Sequence, residues 1–198
     1  MCRAASNFQP ALVHAVYTKL RATGKFDTMS LDVDEAEHSL EMQMPFLVKL
    51  FGGPSFSIVP IVVGALDTGS EALYGQLLAP YLDDPATLVV VSSDFCHWGR
   101  RFSYSPHDQA QGPIHAYVEA MDRQGMRLIE AGDAAAFSKY LQDSGNTICG
   151  RHPIGVLLHM MSACATPGLR ARFLAYAQSS RAVRPSDSSV SYAAAIVQ

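Results

Sequence analysis

The sequence predicts an α/β protein with a mixed central β-sheet and helices on both of its faces. Short apolar runs typical of strands alternate along the chain with longer segments whose apolar residues recur at helical spacing. Of the 198 residues, 48% are hydrophobic and 17% are charged, a balance typical of a globular protein with a substantial core. Since the chain shows no internal repeat, we expect one domain over residues 1–198.

Helices are predicted from apolar spacing and from capping residues. Residues 11–23 form the first, and Gly24 ends it. A second helix begins near Asp34, and Pro45 should kink or split it. Its predicted buried stripe consists of Ala36, Leu40, Met44, Leu47 and Leu50. Further helices are expected over residues 70–82, 113–131, 133–143 and 153–163.

Strands are predicted over residues 56–63, 88–91, 172–178 and 190–197. Residues 88–91, LVVV, should be buried on both faces because four consecutive apolar residues leave no side for water. The last two runs, joined by a polar segment, are expected to form an antiparallel pair.

Composition excludes several functions. A formal net charge of −3 argues against nucleic acid or an anionic membrane as the main partner. No apolar run approaches the ~20 residues of a membrane-spanning helix. The four cysteines lie far apart, which predicts reduced thiols in a cytoplasmic protein.

Asp94 and His97 are the first candidate site residues. They follow the predicted strand 88–91, and ligands in α/β sheets bind beyond the carboxyl ends of strands. A carboxylate beside an imidazole fixes the ring tautomer and raises its basicity. The alternative is structural, with Asp94 capping a turn and His97 packing on Trp98. Cys96 alternates with both residues, so we expect it to face the core.

Cys149 is the third candidate. It lies just ahead of a predicted helix, where the helix dipole and Arg151 favour a thiolate, which is a nucleophile and a soft metal ligand. A buried inert cysteine is the alternative. The acidic run 34–41, DEAEHSLE, superficially suggests a metal-binding helix, but it lacks the HExxH spacing, so we expect a solvated helix start.

Several strings in this chain resemble the MEMO family, named for a mediator of receptor-tyrosine-kinase-driven cell motility. They span about residues 14–197 and are DEAEHSLEMQMPF, IVPIVVGAL, VVSSDFCHWGRRF, NTICGRHPIGVLL, FLAYAQSS and DSSVSYAA. The resemblance implies a fold related to class III extradiol dioxygenases and a pocket built from two N-terminal histidines, a cysteine and an Asp–His pair. The family cysteine falls on Cys149 and the pair on Asp94 and His97, with His97 as the general base. Iron or copper is the implied metal.

The two family histidines belong to segments resembling APHAGY and GPSHH, and neither string occurs in these 198 residues. Residues 1–13 also diverge from the family. We therefore expect an N-terminally truncated MEMO-like domain that keeps Cys149 as part of a metal site and Asp94 and His97 as a vestigial catalytic pair. One thiolate with a nearby imidazole does not fill a metal site, so stable binding of iron or copper is not expected.

The resemblance implies a cytoplasmic signalling protein linked to cell motility and cytoskeletal control rather than an enzyme. Its expected partners are signalling proteins of a receptor tyrosine kinase pathway. The alternative is an iron- or copper-dependent redox enzyme or metal-binding protein. A third hypothesis is metal-free thiol chemistry at Cys149, assisted by His152 or His97. We expect the side chains of residues 94, 97 and 149 to converge on one cleft.

Overall fold

The structure is a computed structural model that describes residues 10–52 and 56–198, with side chains from residue 13 onward. The chain divides into two compact units, Met1–Val62 and Val63–Gln198. Residues 1–9, most of the segment expected to diverge, lie outside the described residues. No helix in the described ranges is long and apolar enough to cross a bilayer.

The described part of the first unit is helical. Its helices are α1 (Pro10–Ala22), α2 (Leu31–Ala36), α3 (His38–Glu41) and α4 (Met44–Phe51). The first predicted helix is confirmed, and Gly24 follows it with a φ of 65°, a conformation that favours glycine.

The helix predicted from Asp34 is divided into three short helices. The split expected at Pro45 is confirmed at the start of α4, whereas the break between α2 and α3 was not predicted. Glu37 ends α2 and caps α3, its carboxylate accepting a hydrogen bond from the Ser39 N–H at 2.7 Å. Pro45 lies in the first turn of α4, where its missing N–H costs no hydrogen bond. The predicted buried stripe is wrong, because α2, α3 and α4 contain no buried residue. Phe46 and Leu50 are each 71% exposed.

The second unit holds four longer helices and a small sheet. These elements are α5 (Thr68–Leu82), β1 (His97–Trp98), α6 (Ile114–Glu130), α7 (Ala134–Ser144), α8 (Arg151–Ala163), β2 (Ala171–Gln178) and β3 (Ser189–Val197). All four helices predicted for this region are confirmed to within about two residues. Asp133 caps α7 as expected, accepting a hydrogen bond from the Ala136 N–H at 2.8 Å.

The sheet is antiparallel, with strand order β1-β3-β2. The predicted pairing of the last two runs is confirmed, with a register shift between Phe173 and Ala175. Residues 56–63 and 88–91 are not strands, so both of those predictions are wrong. Leu88 and Val90 are 60% and 44% exposed. A strand exists through its hydrogen-bonded neighbours, and these segments have no ladder partner among the described residues. The mixed α/β class itself is confirmed.

The core of the second unit lies around one face of α6. Its largest fully buried side chains include Trp98, Phe137, Ile148 and Leu158. Helices α5 and α8 pack closely at Gly155 of α8. A Cβ at this position would overlap the carboxylate of Glu71 on α5. This packing fixes the start of α8, the helix that follows Cys149.

Candidate metal site

The segment carrying Asp94 and His97 is anchored by its buried neighbours. The Phe95 N–H donates to the Ser191 carbonyl at 2.8 Å, and the Ser191 N–H donates to the Cys96 carbonyl at 2.9 Å. Phe95 and Cys96 are buried in the core, and β1 continues the pairing with β3. Core packing and sheet pairing therefore fix the backbone on which Asp94 and His97 lie.

Hydrogen bonds join this segment to the one that carries Cys149. The Thr147 hydroxyl accepts from the His97 N–H at 2.8 Å and donates to the His97 carbonyl at 3.0 Å. The Asp94 N–H donates to the Cys149 sulfur at 3.0 Å. These contacts hold the thiol beside the Asp94 backbone.

Gly150 makes the close approach of the two segments sterically possible. A Cβ at this position would overlap the side chain of Ser93. With glycine, the Gly150 N–H instead donates to the Ser93 hydroxyl at 2.9 Å, and the hydroxyl donates to the Asp94 carbonyl at 2.7 Å. Gly150 is also the residue from which α8 starts.

The structure brings Asp94, His97 and Cys149 together. One ligand atom from each residue lies within 4.8 Å of the other two. The Nε2 of His97 lies 3.5 Å from Oδ2 of Asp94. Cys149 is exposed, and the side chains of Asp94 and His97 are 42% and 26% exposed. The expected convergence on a shared position is present, and it forms the one cluster of this kind within residues 10–52 and 56–198.

His97 has an unsatisfied ring nitrogen. Its Nε2 atom is buried and finds no hydrogen-bond partner in the described part of the chain, since its approach to Asp94 lacks hydrogen-bond geometry. Buried polar atoms ordinarily have a partner, so this nitrogen is available to a ligand. The ring packs edge-on against Phe102 with centroids 5.1 Å apart, whereas the structural alternative placed it on Trp98.

The remaining candidates do not join this cluster. Cys96 is fully buried, and burial raises the pKa of its thiol, so it stays protonated and inert as expected. His152 has a carboxylate partner of its own, with its Nδ1 atom 2.7 Å from Oε1 of Glu71 on α5. In the acidic run 34–41, Glu37 serves as a helix cap, in line with the expected helix start.

Sequence reasoning missed Asp122, a fully buried carboxylate on α6. Its side chain accepts a hydrogen bond from Asn146, which lies three residues before Cys149. Burial raises the pKa of Asp122, while the hydrogen bonds it accepts oppose that rise. A signal was present in the sequence, because Asp122 interrupts the apolar stripe that includes Val118, Met121 and Met126.

Comparison with known proteins gives consistent matches. A family model described as Memo-like protein matches residues 12–196. The chain is 50% identical over 183 residues to Protein MEMO1 of Danio rerio and 49% identical to that of Homo sapiens, covering 90% of this chain and 62% of each relative. It is 44% identical over 188 residues to Protein memo-1 homolog of Caenorhabditis elegans, covering 93% of this chain and 54% of that protein. The chain thus spans less than two thirds of the length of these relatives.

Proposed function

Since this chain belongs to the Memo-like family, which has an extradiol-dioxygenase-like fold, we propose that it binds a first-row transition metal ion, iron or copper. The ligands are one carboxylate oxygen of Asp94, one ring nitrogen of His97 and the Cys149 sulfur. Their mutual approach to within 4.8 Å is the observation that carries the proposal. The sequence alone predicted an unstable site because it counted Cys149 as the sole ligand.

The donor set fits such an ion. Imidazole and thiolate ligands suit iron, copper and zinc, and a carboxylate adds negative charge. Three protein ligands leave coordination positions open, as in catalytic rather than structural metal sites. The unpartnered Nε2 of His97 is an independent sign that a ligand completes this position.

The chain's own residues would prepare this site. The Asp94 N–H fixes the Cys149 sulfur, and the Ser93 hydroxyl fixes the start of the helix behind it. A bound iron or copper ion would supply redox chemistry at the open positions. The exposure of Cys149 and Asp94 leaves the site open to small molecules.

The test is a titration of the purified chain with cobalt(II), a spectroscopic probe for thiolate ligands, without oxygen. We expect a sulfur-to-cobalt absorption band that saturates at one equivalent. Cys149→Ser should abolish the band, and Cys164→Ser is the matched control because Cys164 lies outside the cluster. An unchanged band in Cys149→Ser, or no band in the wild type, would refute the proposal. Metal analysis after loading with iron or copper then identifies the preferred ion.

If the bound metal ion is catalytic, the chain is a redox enzyme. Oxygen consumption by the iron- or copper-loaded chain, measured with a panel of catechols, tests it directly. Turnover that Cys149→Ser removes would support dioxygenase-like chemistry. Metal binding with no oxygen consumption would restrict the function to metal binding.

The second candidate function is that of a cytoplasmic signalling protein that acts in cell motility and cytoskeletal control through partners of a receptor tyrosine kinase pathway. Family membership and the exposed apolar side chains of α4, Phe46 and Leu50, favour a role in protein interaction. Cys96, Cys149 and Cys164 are free thiols, which agrees with a reducing compartment.

This candidate is tested in cells that lack their own Memo-like protein and migrate poorly toward a growth factor. We expect the wild-type chain to restore migration and Phe46→Ser/Leu50→Ser to fail at equal expression. Cys149→Ser separates the two candidates, because a purely interacting protein retains its effect without the thiol. Equal rescue by the α4 variant and by the wild type would contradict a role for this surface.

A further inference from the structure

Asp122 is an ionisable group placed where charge is costly. Its side chain is fully buried in the face of α6 that packs into the core. One carboxylate oxygen accepts from the side-chain amide of Asn146 and the other from the Tyr176 hydroxyl, each at 2.9 Å. The Ser191 hydroxyl and the Cys96 N–H also face this carboxyl and help to lower its pKa against the effect of burial. A buried carboxylate is tolerated only with this degree of hydrogen bonding.

Of these four neighbouring groups, two lie on the segments that form the candidate metal site. Cys96 lies between Asp94 and His97, and Asn146 lies three residues before Cys149. The other two, Tyr176 and Ser191, belong to strands β2 and β3. Asp122 therefore makes a hydrogen bond to the segment of Asn146 and lies beside the backbone of Cys96 in the other segment, in addition to the hydrogen bonds that the segments make with each other.

Asn146 is held in one orientation by a second contact. Its side-chain amide also donates to the Tyr140 hydroxyl at 2.7 Å, and that hydroxyl donates to the Met121 carbonyl at 2.8 Å. Asn146 is 4% exposed, so water does not compete for these bonds. The link from Asp122 to the cysteine-bearing segment is thus fixed at both ends.

We propose that Asp122 is a positioning residue, which holds the segments of residues 94–97 and 146–149 in the register that makes three metal ligands converge. This inference rests on the proposed metal site for its functional meaning. Its structural content, that one carboxylate controls the contact of the two segments, is measurable without any metal.

The test compares Asp122→Asn with Tyr176→Phe by amide hydrogen exchange. The amides of Asp94, His97 and Gly150 report the contact, since each donates across it. Asp122→Asn places an amide NH₂ where one carboxylate oxygen accepted a hydrogen bond, and we expect exchange at these amides to accelerate roughly ten-fold, because a buried donor left without its acceptor destabilises the local structure. Tyr176→Phe removes one donor to Asp122 from outside both segments, so these amides should change by less than about two-fold once global stability is matched.

Asn146→Ala is the second variant, and it decides the question if Asp122→Asn does not fold. It removes the hydrogen bond between Asp122 and one site segment and leaves Asp122 beside the Cys96 backbone, so the same amides should exchange faster than in Tyr176→Phe. If the site-segment variants and Tyr176→Phe expose these amides equally, Asp122 only stabilises the core and the proposal fails.

Cobalt(II) affinity provides the functional measurement. We expect Asp122→Asn to weaken binding roughly 10- to 100-fold, with Tyr176→Phe close to the wild type. A wild type that binds no cobalt while the exchange pattern holds would refute the metal site and leave the positioning role intact. Cobalt affinity and amide exchange that are both insensitive to Asp122→Asn would refute the positioning role and leave the metal site intact.

Discussion

Single atoms decide whether the candidate site forms at all. Gly150 lacks the Cβ that would collide with Ser93, and its N–H is bound by the Ser93 hydroxyl. Cys149 precedes it directly, so any displacement of Gly150 moves the thiol away from the Asp94 N–H. The site therefore depends on the absence of a side chain at Gly150 as much as on the candidate ligand residues.

Gly150→Ala should therefore separate the two segments. Overpacking of this kind costs about 1–3 kcal/mol in the free energy of unfolding, measured by urea denaturation. Gly69→Ala is the matched control, because a Cβ there makes only an ordinary contact in the first turn of α5. We expect the control to be neutral or slightly stabilising, since alanine favours helix over glycine. Equal stability of the two variants would show that Ser93 moves aside without cost.

Among the elements, the helices of the second unit follow local signals closely. Asp133 starts α7, Pro153 lies in the first turn of α8, and α6 shows an apolar face that only Asp122 interrupts. Helix α8 also positions the candidate site, because its start places Cys149 against the segment that ends in β1. The short helices α2, α3 and α4 follow caps and proline rather than apolar spacing.

Asp133→Ala tests the local origin of α7. Loss of the bond from the Ala136 N–H should reduce the free energy of unfolding by about 1 kcal/mol. Asp133→Ser keeps an acceptor at the same position and should retain most of the stability. A third variant, Asp143→Ala, removes only an exposed pair with Lys139 and should have little effect. The melting temperatures of the three variants, measured side by side by thermal unfolding, give their order of stability.

On the scale of the second unit, the Asp122 network joins parts of the chain that are far apart in sequence. Through its hydrogen bonds to Tyr176 and Asn146, Asp122 connects α6 to β2 and to the segment that precedes Cys149. Burial raises the pKa of Asp122, and the accepted hydrogen bonds oppose that rise. Folding therefore favours the protonated carboxyl relative to the unfolded chain, where the pKa is near ~3.9.

The pH dependence of stability follows from this upward shift of the Asp122 pKa. The contribution of Asp122 protonation is complete below the unfolded pKa and is lost as the pH rises through the higher folded pKa. We expect the stability advantage of the wild type over Asp122→Asn to shrink as the pH rises from about 4, in urea titrations at several pH values. An advantage that grows with pH would mean that hydrogen bonding outweighs burial at this carboxyl.

The sequence by itself determined the helices of the second unit and the antiparallel pair β2 and β3. It also indicated Asp94, His97 and Cys149 as candidate site residues, with Cys149 alone as a metal ligand. These features follow from local spacing, caps and side-chain chemistry. The two failed strand predictions share a cause. Residues 56–63 and 88–91 have the composition of strands, but a strand also needs a neighbouring strand to pair with, which composition does not reveal.

Only the tertiary structure decided how the site is assembled. It brought residues 94 and 149 into hydrogen-bond contact across 55 positions of sequence and placed ligand atoms of Asp94, His97 and Cys149 within 4.8 Å of one another. It also placed the buried carboxyl of Asp122 in hydrogen-bond contact with Asn146, three residues before Cys149. These relations depend on long-range packing and on the hydrogen bonding of buried polar groups. The sequence shows that Asp122 interrupts an apolar helix face, but it does not show which residues bind that carboxyl.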